Sequence, residues 1–406
     1  MITKKSTYNK LNLKNLNNNV VFKFFFIILL LELFLLGSGR LLEFGPLTAR
    51  MLLFSLALLM SFFVMVAVRK VEKSIAFLIL FFLLVVTLAT LNGIISDANL
   101  NMILLDLKPL SFFLIILYFS LFIKNQKDII TIVTLIKISS ILLCFLYFTF
   151  LIVMYFGIFD FGQVYDFISN NINSIKFRGD SSYNSSFFYK GFLYLNVGFI
   201  FFIFSKKKID IFASFLLLIA ILLTFTRGFV LALFLSFVFQ NIIDIKNKKS
   251  FILLGLLIFA GLVSTPYFIE LMGNRVASDS IRITQIQQVV DNITLVSVFI
   301  GHGFGIGIPI REMHMEITYL EIFHKQGLIG VLFWLLPLGA IIFNYINIEK
   351  KSFIVKSFFV SALFVYAESA TNPFLTNPIG MTVVLLALIV LMRTREMNIK
   401  EKTIDV

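Results

Sequence analysis

Apolar runs recur along the whole chain, separated by short polar connectors. They fall at roughly 20–38, 47–68, 74–95, 105–123, 132–157, 187–205, 209–225, 228–243, 251–268, 327–347, 353–370 and 379–394. A helix needs about 20 apolar residues to cross the hydrocarbon of a bilayer. Isolated strands cannot satisfy their backbone groups in lipid, so the runs predict helices. The pattern predicts an all-α fold: one integral membrane domain over 1–406, built as a transmembrane helical bundle of about 12 spans.

The connectors alternate in charge. One set holds Lys4, Lys5, Lys10 and Lys14, then "RKVEK" (69–73), "KNQKD" (124–128), "SKKK" (205–208), "DIKNKK" (244–249), "EKK" (349–351) and "RTREMNIKEK" (393–402). The other set is poor in lysine. Positive connectors stay cytoplasmic, so both termini are expected there and the span count is even. Residues 1–19 are polar and Asn/Lys-rich, which reads as a tail before a retained anchor rather than a cleaved leader. Two connectors of the external set are long, 158–186 and 269–326. The second is expected to contain short helices. No repeat relates 1–200 to 201–406, whereas twelve-helix transporters usually show two similar halves.

Composition agrees and adds exclusions. The chain is 59% hydrophobic with a mean hydropathy of +0.97, which marks an integral membrane protein. The single cysteine, Cys144, lies inside an apolar run, so no disulfide framework and no cysteine metal site is available. The net charge of +13 is carried mainly by the lysine-rich connectors and does not point to nucleic acid.

Arginine and lysine are sorted between the two sets. Arg40, Arg50, Arg178, Arg227, Arg275, Arg282 and Arg311 fall outside or at the outer boundary; among lysines only Lys108, Lys176, Lys190 and Lys325 do. Topology alone does not sort Arg from Lys. A site that grips phosphate does, because guanidinium offers a planar two-pronged donor face. Chance among few residues is the plainer explanation.

Four stretches carry candidate chemistry. "TFTRGFVLALFL" (224–235) puts Arg227 between two apolar runs, and Gly228 permits a tight turn or a close helix approach. A snorkelling arginine at a span end is the alternative. "GNRVASDSIRITQIQQVVDNI" (273–293) reads as a loop entering a helix, capped by Ser278, Asp279 or Ser280, with Arg282 in its first turn. A helix start beside Arg275 and Arg282 suits phosphate oxygens. "GHGFGIGIP" (301–309) is no phosphate loop, since no Gly-Lys-Ser/Thr follows; its glycines predict a compact turn carrying His302. "MHMEITYLEIFHKQG" (313–327) reads as a helix with a polar stripe of His314, Thr318, Glu321 and Lys325. On such a helix His314 and Glu321 stand two turns apart, roughly 10 Å, too far for a direct dyad. His302, His314 and His324 are the only histidines, but no H-E-x-x-H pattern appears and no metal site is expected. His324 is expected to mark the membrane boundary.

In order, "TRGFVLAL", then Arg275 and Arg282, then "FIGHGFG", then "HMEITYLEIFHKQGLIGVLFWL" resemble the O-antigen polymerase/ligase family of membrane glycosyltransferases, over about 224–340. Family members often carry His-Asn where this chain has His314 and Met315. The resemblance implies a GT-C type of fold with a large periplasmic loop at 269–326. It implies glycan transfer at the periplasmic face of the bacterial inner membrane, without a metal, nucleotide sugar or other cofactor. The donor is then an undecaprenyl diphosphate-linked oligosaccharide, the setting is the lipid bilayer, and a chain-length regulator protein is a further partner. A polymerase passes the glycan to another lipid-linked repeat unit; a ligase passes it to lipid A core. Arg227, Arg282 and His314 carry the catalytic expectation, with Glu321 as second candidate base. Arg275, Arg311, Arg178, His302 and Tyr319 are the expected substrate contacts. The chemistry is consistent: arginines stabilise charge developing on a leaving diphosphate, and a histidine can accept the proton of an attacking hydroxyl. A lipid-linked sugar flippase is the competing class, with Glu32, Lys137 and Glu368 as its charged path within spans.

Overall fold

A computed structural model describes residues 20–37, 42–44, 47–68, 71–171, 175–178, 186–205, 207–244, 255 and 276–404. The fold is helical. In chain order the helices are α1 (Val20–Leu35), α2 (Ala49–Val68), α3 (Lys73–Ile95), α4 (Leu100–Ser111), α5 (Ile115–Phe122), α6 (Gln126–Tyr155), α7 (Phe161–Asn171), α8 (Leu193–Ile203), α9 (Lys208–Leu223) and α10 (Arg227–Ile243). There follow α11 (Val276–Asp291), α12 (Leu295–Ile300), α13 (Thr318–Asn347), α14 (Phe353–Glu368) and α15 (Pro378–Ile404). Two small antiparallel ribbons interrupt them: β1 (Glu43–Phe44) with β2 (Leu47–Thr48), and β3 (Ile175–Arg178) with β4 (Ser186–Tyr189).

Among the described residues six helical stretches are long and apolar enough to cross a membrane: Ala49–Ala67, Lys73–Ile95, Leu100–Phe122, Gln126–Tyr155, Thr318–Asn347 and Pro378–Asn398. Shorter apolar helices occupy the other expected positions, Lys190–Ile203 and Arg227–Ile243 among them. The expected segment 251–268 lies outside the described residues except Gly255.

Burial divides the helices by role. In α8 the residues Leu193–Phe202 are all buried, and in α15 so are Ile379 and Met381–Leu391. A helix that is apolar on every side and wholly enclosed is a core helix. Outer helices instead leave large side chains uncovered, such as Phe63 on α2 and Leu80 on α3. In lipid such a surface costs nothing, because acyl chains are as apolar as leucine.

Polar contacts gather the connectors at two ends. At one end Arg393 pairs with Glu72 and donates to the carbonyls of Ile123 (3.0 Å) and Ser120 (2.8 Å). Asp244 there binds Lys351 and accepts from Tyr345 Oη at 2.7 Å. These residues border lysine-rich connectors. At the other end Asn92, Gly301, Asp106, Thr318 and Ser369 meet, all bordering lysine-poor ones.

The charged residues expected to line a transport path are tied into the bundle. Glu32 pairs with Arg50, both buried, at 3.0 Å, and Lys137 pairs with Asp210 at 2.6 Å. Glu368 is fully buried and accepts from Asn372 Nδ2 at 2.5 Å.

Two helix starts differ from expectation. The helix of 273–293 already begins at Val276, so Asp279 lies inside its first turns and pairs with Arg282 at 3.1 Å. The helix expected from residue 313 begins only at Thr318. In residues 313–317 Glu316 N is drawn to Gln285 Oε1 at 3.0 Å, and the helix that follows is anchored where Thr318 N donates to Ser369 O at 3.2 Å.

A candidate active site at the start of α13

The glycine-rich segment is a strap between α3 and α13. α12 is capped by Gly301, and α13 is broken at Gly327, whose φ is +64°. The break leaves carbonyls of the preceding turn without helical donors. The strap supplies them: His302 N donates to His324 O at 2.7 Å and Gly303 N to Lys325 O at 3.1 Å. On its other side Phe304 N donates to Ala89 O at 2.9 Å, and Asn92 Nδ2 to Gly301 O at 2.7 Å. Gly303 has φ +98°, and a Cβ there would stand 2.2 Å from Gly93 N. Only glycine permits that conformation and that crossing.

The strap also fixes an acid that the motifs do not include. Gly305 N donates to Asp106 Oδ2 at 2.8 Å. Asp106 is a lone carboxylate in the apolar stretch of α4, 199 residues before Gly305 in sequence. Its other oxygen, Oδ1, takes Lys325 Nζ at 2.7 Å. Lys325 also reaches Glu321 Oε1 at 2.9 Å, one turn back on α13, and donates to Met313 O.

His314 completes the cluster. Because 313–317 fold back over the first turn of α13, His314 Nδ1 lies 3.0 Å from Glu321 Oε1 and 3.6 Å from Asp106 Oδ1. The expectation that His314 and Glu321 stand too far apart for a dyad is therefore wrong. It assumed a helix running through both. The side chains of Asp106 and Lys325 are 6% and 3% exposed, whereas that of His314 is 44% exposed. The imidazole thus bridges a buried charge cluster and open space. The cleft here is lined also by Pro109, Phe304 and Thr376, with about 30 Å³ of free volume, enough for a hydroxyl group.

Two arginines meet on Glu316, two residues after His314. Arg311 Nη2 pairs with Glu316 Oε1 at 2.6 Å, and Arg282 Nε lies 3.3 Å from Glu316 Oε2. α11 is held on the loop by a small core of Val289, Ile308 and Met315, and by Gln288 Oε1, which accepts from Ile310 N at 3.1 Å. With Asp279 also on Arg282, two guanidinium groups face two carboxylates, and their ten N–H bonds are not all taken up, which leaves donors for an anion.

Other candidates are placed as follows. Arg227 opens α10, and Gly228 packs so closely that a Cβ would be 2.7 Å from Glu368 Oε1 and 2.9 Å from Thr371 Oγ1. Asn372 in the same segment accepts from Thr318 Oγ1 at 3.0 Å, so the Arg227 turn and the start of α13 share a neighbour. Tyr319 Oη donates to Tyr366 O at 2.6 Å inside the bundle. His302 packs against His324 with ring centroids 4.6 Å apart and the rings tilted by 36°, and burial holds the His302 imidazole below its ordinary value. His324 is buried, and its carbonyl accepts from His302 of the strap. Arg178 ends β3; Arg275 lies outside the described residues.

An O-antigen polymerase of Shigella flexneri is 29% identical to this chain over 347 residues, covering 83% of this chain and 87% of that protein. The chain is thus similar to that O-antigen polymerase over most of its length. No protein-family model matches the chain, and no solved structure does. At 83% of the chain the likeness extends well beyond 224–340. For a polymerase homologue the cluster is chemically apt: a half-exposed imidazole backed by a buried carboxylate, with guanidinium groups close by.

Proposed function

We propose that this protein is an O-antigen polymerase that joins undecaprenyl diphosphate-linked oligosaccharide units at the periplasmic face of the inner membrane. The homology supports the polymerase reading, and the contact between His314 and Glu321 carries the mechanism. Glu321 is salt-bridged to Lys325 and can only accept, so the Nδ1 that touches it donates, leaving Nε2 of His314 basic. In this reading His314 takes the proton and Glu321 orients it.

The reaction balances without a cofactor. The acceptor sugar hydroxyl gives its proton to His314 Nε2 as its oxygen bonds to the anomeric carbon of the donor glycan. The bond from that carbon to the diphosphate oxygen breaks, and undecaprenyl diphosphate leaves with the electron pair. Arg282 and Arg311, with Arg227 and Arg275 as further donors, stabilise the negative charge that grows on it. Arg178, His302 and Tyr319 remain assigned to the surroundings of the glycan.

The same reading gives the chain one membrane domain over 1–406 with about 12 spans, a GT-C type of arrangement, cytoplasmic termini and 269–326 as the large periplasmic loop. A chain-length regulator protein is its expected partner in the bilayer. The test is the lipopolysaccharide of a deletion strain before and after complementation. A polymerase restores long chains to a strain left with single repeat units on lipid A core. Loss of all attached glycan marks a ligase instead. The ion pairs of Glu32 and Lys137 argue for structural roles over a flippase path.

A further inference from the structure

Asp106, His314 and Glu321 have ligand atoms within 4.8 Å of one another, a spacing that suits a divalent cation. The ammonium of Lys325 stands among them. Its three donors are all placed, on Asp106 Oδ1, Glu321 Oε1 and Met313 O. The two carboxylate oxygens it binds are the same two that approach His314 Nδ1. Lys325 is itself held by its backbone: its carbonyl accepts from Gly303 of the strap, and Gly305 two residues on holds the other oxygen of Asp106.

We propose that Lys325 is a fixed internal cation that takes the place of a metal ion, gathering Asp106 and Glu321 against Nδ1 of His314 so that the imidazole is held ready to accept a proton. Lys325 and Asp106 are then positioning residues, acting through Glu321 and His314. Without the ammonium the two buried carboxylates repel, and His314 loses the fixed acceptor of its Nδ1 proton. Arginine at 325 keeps the charge but not the compact point contact, so it restores function only in part. The proposal rests on His314 as the base for its kinetic consequence; its consequence for cation binding does not.

The full-length protein in detergent tests both. In K325A the three ligands are freed, and a Mn²⁺ titration followed by electron paramagnetic resonance is expected to show one bound ion. That ion is absent from the wild type and lost again in D106N/K325A. Wild type that binds Mn²⁺ as tightly as K325A overturns the proposal, as does K325A that binds none. Since a lone lysine change unbalances a buried cluster, D106N/K325M is the second variant: it removes one charge of each sign and is expected to fold. Its kcat for polymerisation is expected to fall by about 10–100-fold at little change in KM, with an altered pH profile. Wild-type kcat and pH profile in D106N/K325M contradict the positioning role. Failure of H314A to lose activity overturns the base assignment alone and leaves the Mn²⁺ result to stand or fall separately.

Discussion

His314 Nδ1 lies 3.0 Å from Glu321 Oε1 although the residues are seven apart and only Glu321 is helical. The fold-back of 313–317 makes the contact, and the contact makes the imidazole a directed base. Replacing it by alanine removes general-base catalysis, a loss of about 10²–10⁴ in kcat. E321Q keeps the volume but not the charge, and is expected to fall between H314A and wild type. Rates of polymer formation from purified lipid-linked repeat units measure both.

The strap depends on its glycine crossing. G303A places a methyl group 2.2 Å from a backbone nitrogen at a φ of +98°. The conformation alone costs about 1–3 kcal/mol, and the clash forces Asp106 and Lys325 apart. A lowered Tm with lost activity is expected. Gly339 has nothing within 4 Å of its Cβ position, so G339A is expected to leave both unchanged. Thermal unfolding followed by tryptophan fluorescence distinguishes the two.

Arg282 and Arg311 share Glu316, and their planar donors suit diphosphate. R282A and R311A are expected to slow transfer by roughly tenfold or more each, as loss of one charge-stabilising donor does. R282K is expected to recover little, because an ammonium lacks the two-pronged face. Initial rates across donor concentrations give the answer.

The buried pair of Glu32 and Arg50 gives a test of the flippase alternative. R50M alone strands a carboxylate and is expected to destabilise by about 3–5 kcal/mol. E32Q/R50M removes both charges and is expected to regain stability and polymerise normally. A charge path that mattered for transport loses function in the double variant even when folded.

Burial lowers the His302 imidazole from its ordinary 6.5, so the fold prefers it neutral. A lowered histidine binds fewer protons folded than unfolded. Its contribution is therefore full above pH 6.5 and declines as pH falls below that value. Wild type is expected to lose more Tm than H302Q between pH 7.5 and 5.5.

Much of this molecule is legible in its order of residues, and the rest fails for identifiable reasons. The apolar runs give the helices, and Arg282 and Arg311 fall on the loop where the arginine bias put them. The polar stripe of Thr318, Glu321 and Lys325 holds because all three lie on one helix. His314 departs from it because the chain before Thr318 is not helical, Glu316 N bonding across to Gln285 instead. Asp106 escapes notice because its partners lie across the fold. The one available signal is that an ionisable residue inside an apolar segment marks a partner or a site. The glycines read correctly as a turn; that they clamp Asp106 follows only from which backbones they touch.

The most direct test is purified protein in a bilayer given undecaprenyl diphosphate-linked repeat units and no other protein. Wild type is expected to form a ladder of longer lipid-linked glycans and release undecaprenyl diphosphate, while folded H314A forms none. Repeat units left unjoined by wild type, or a full ladder from H314A, would contradict it.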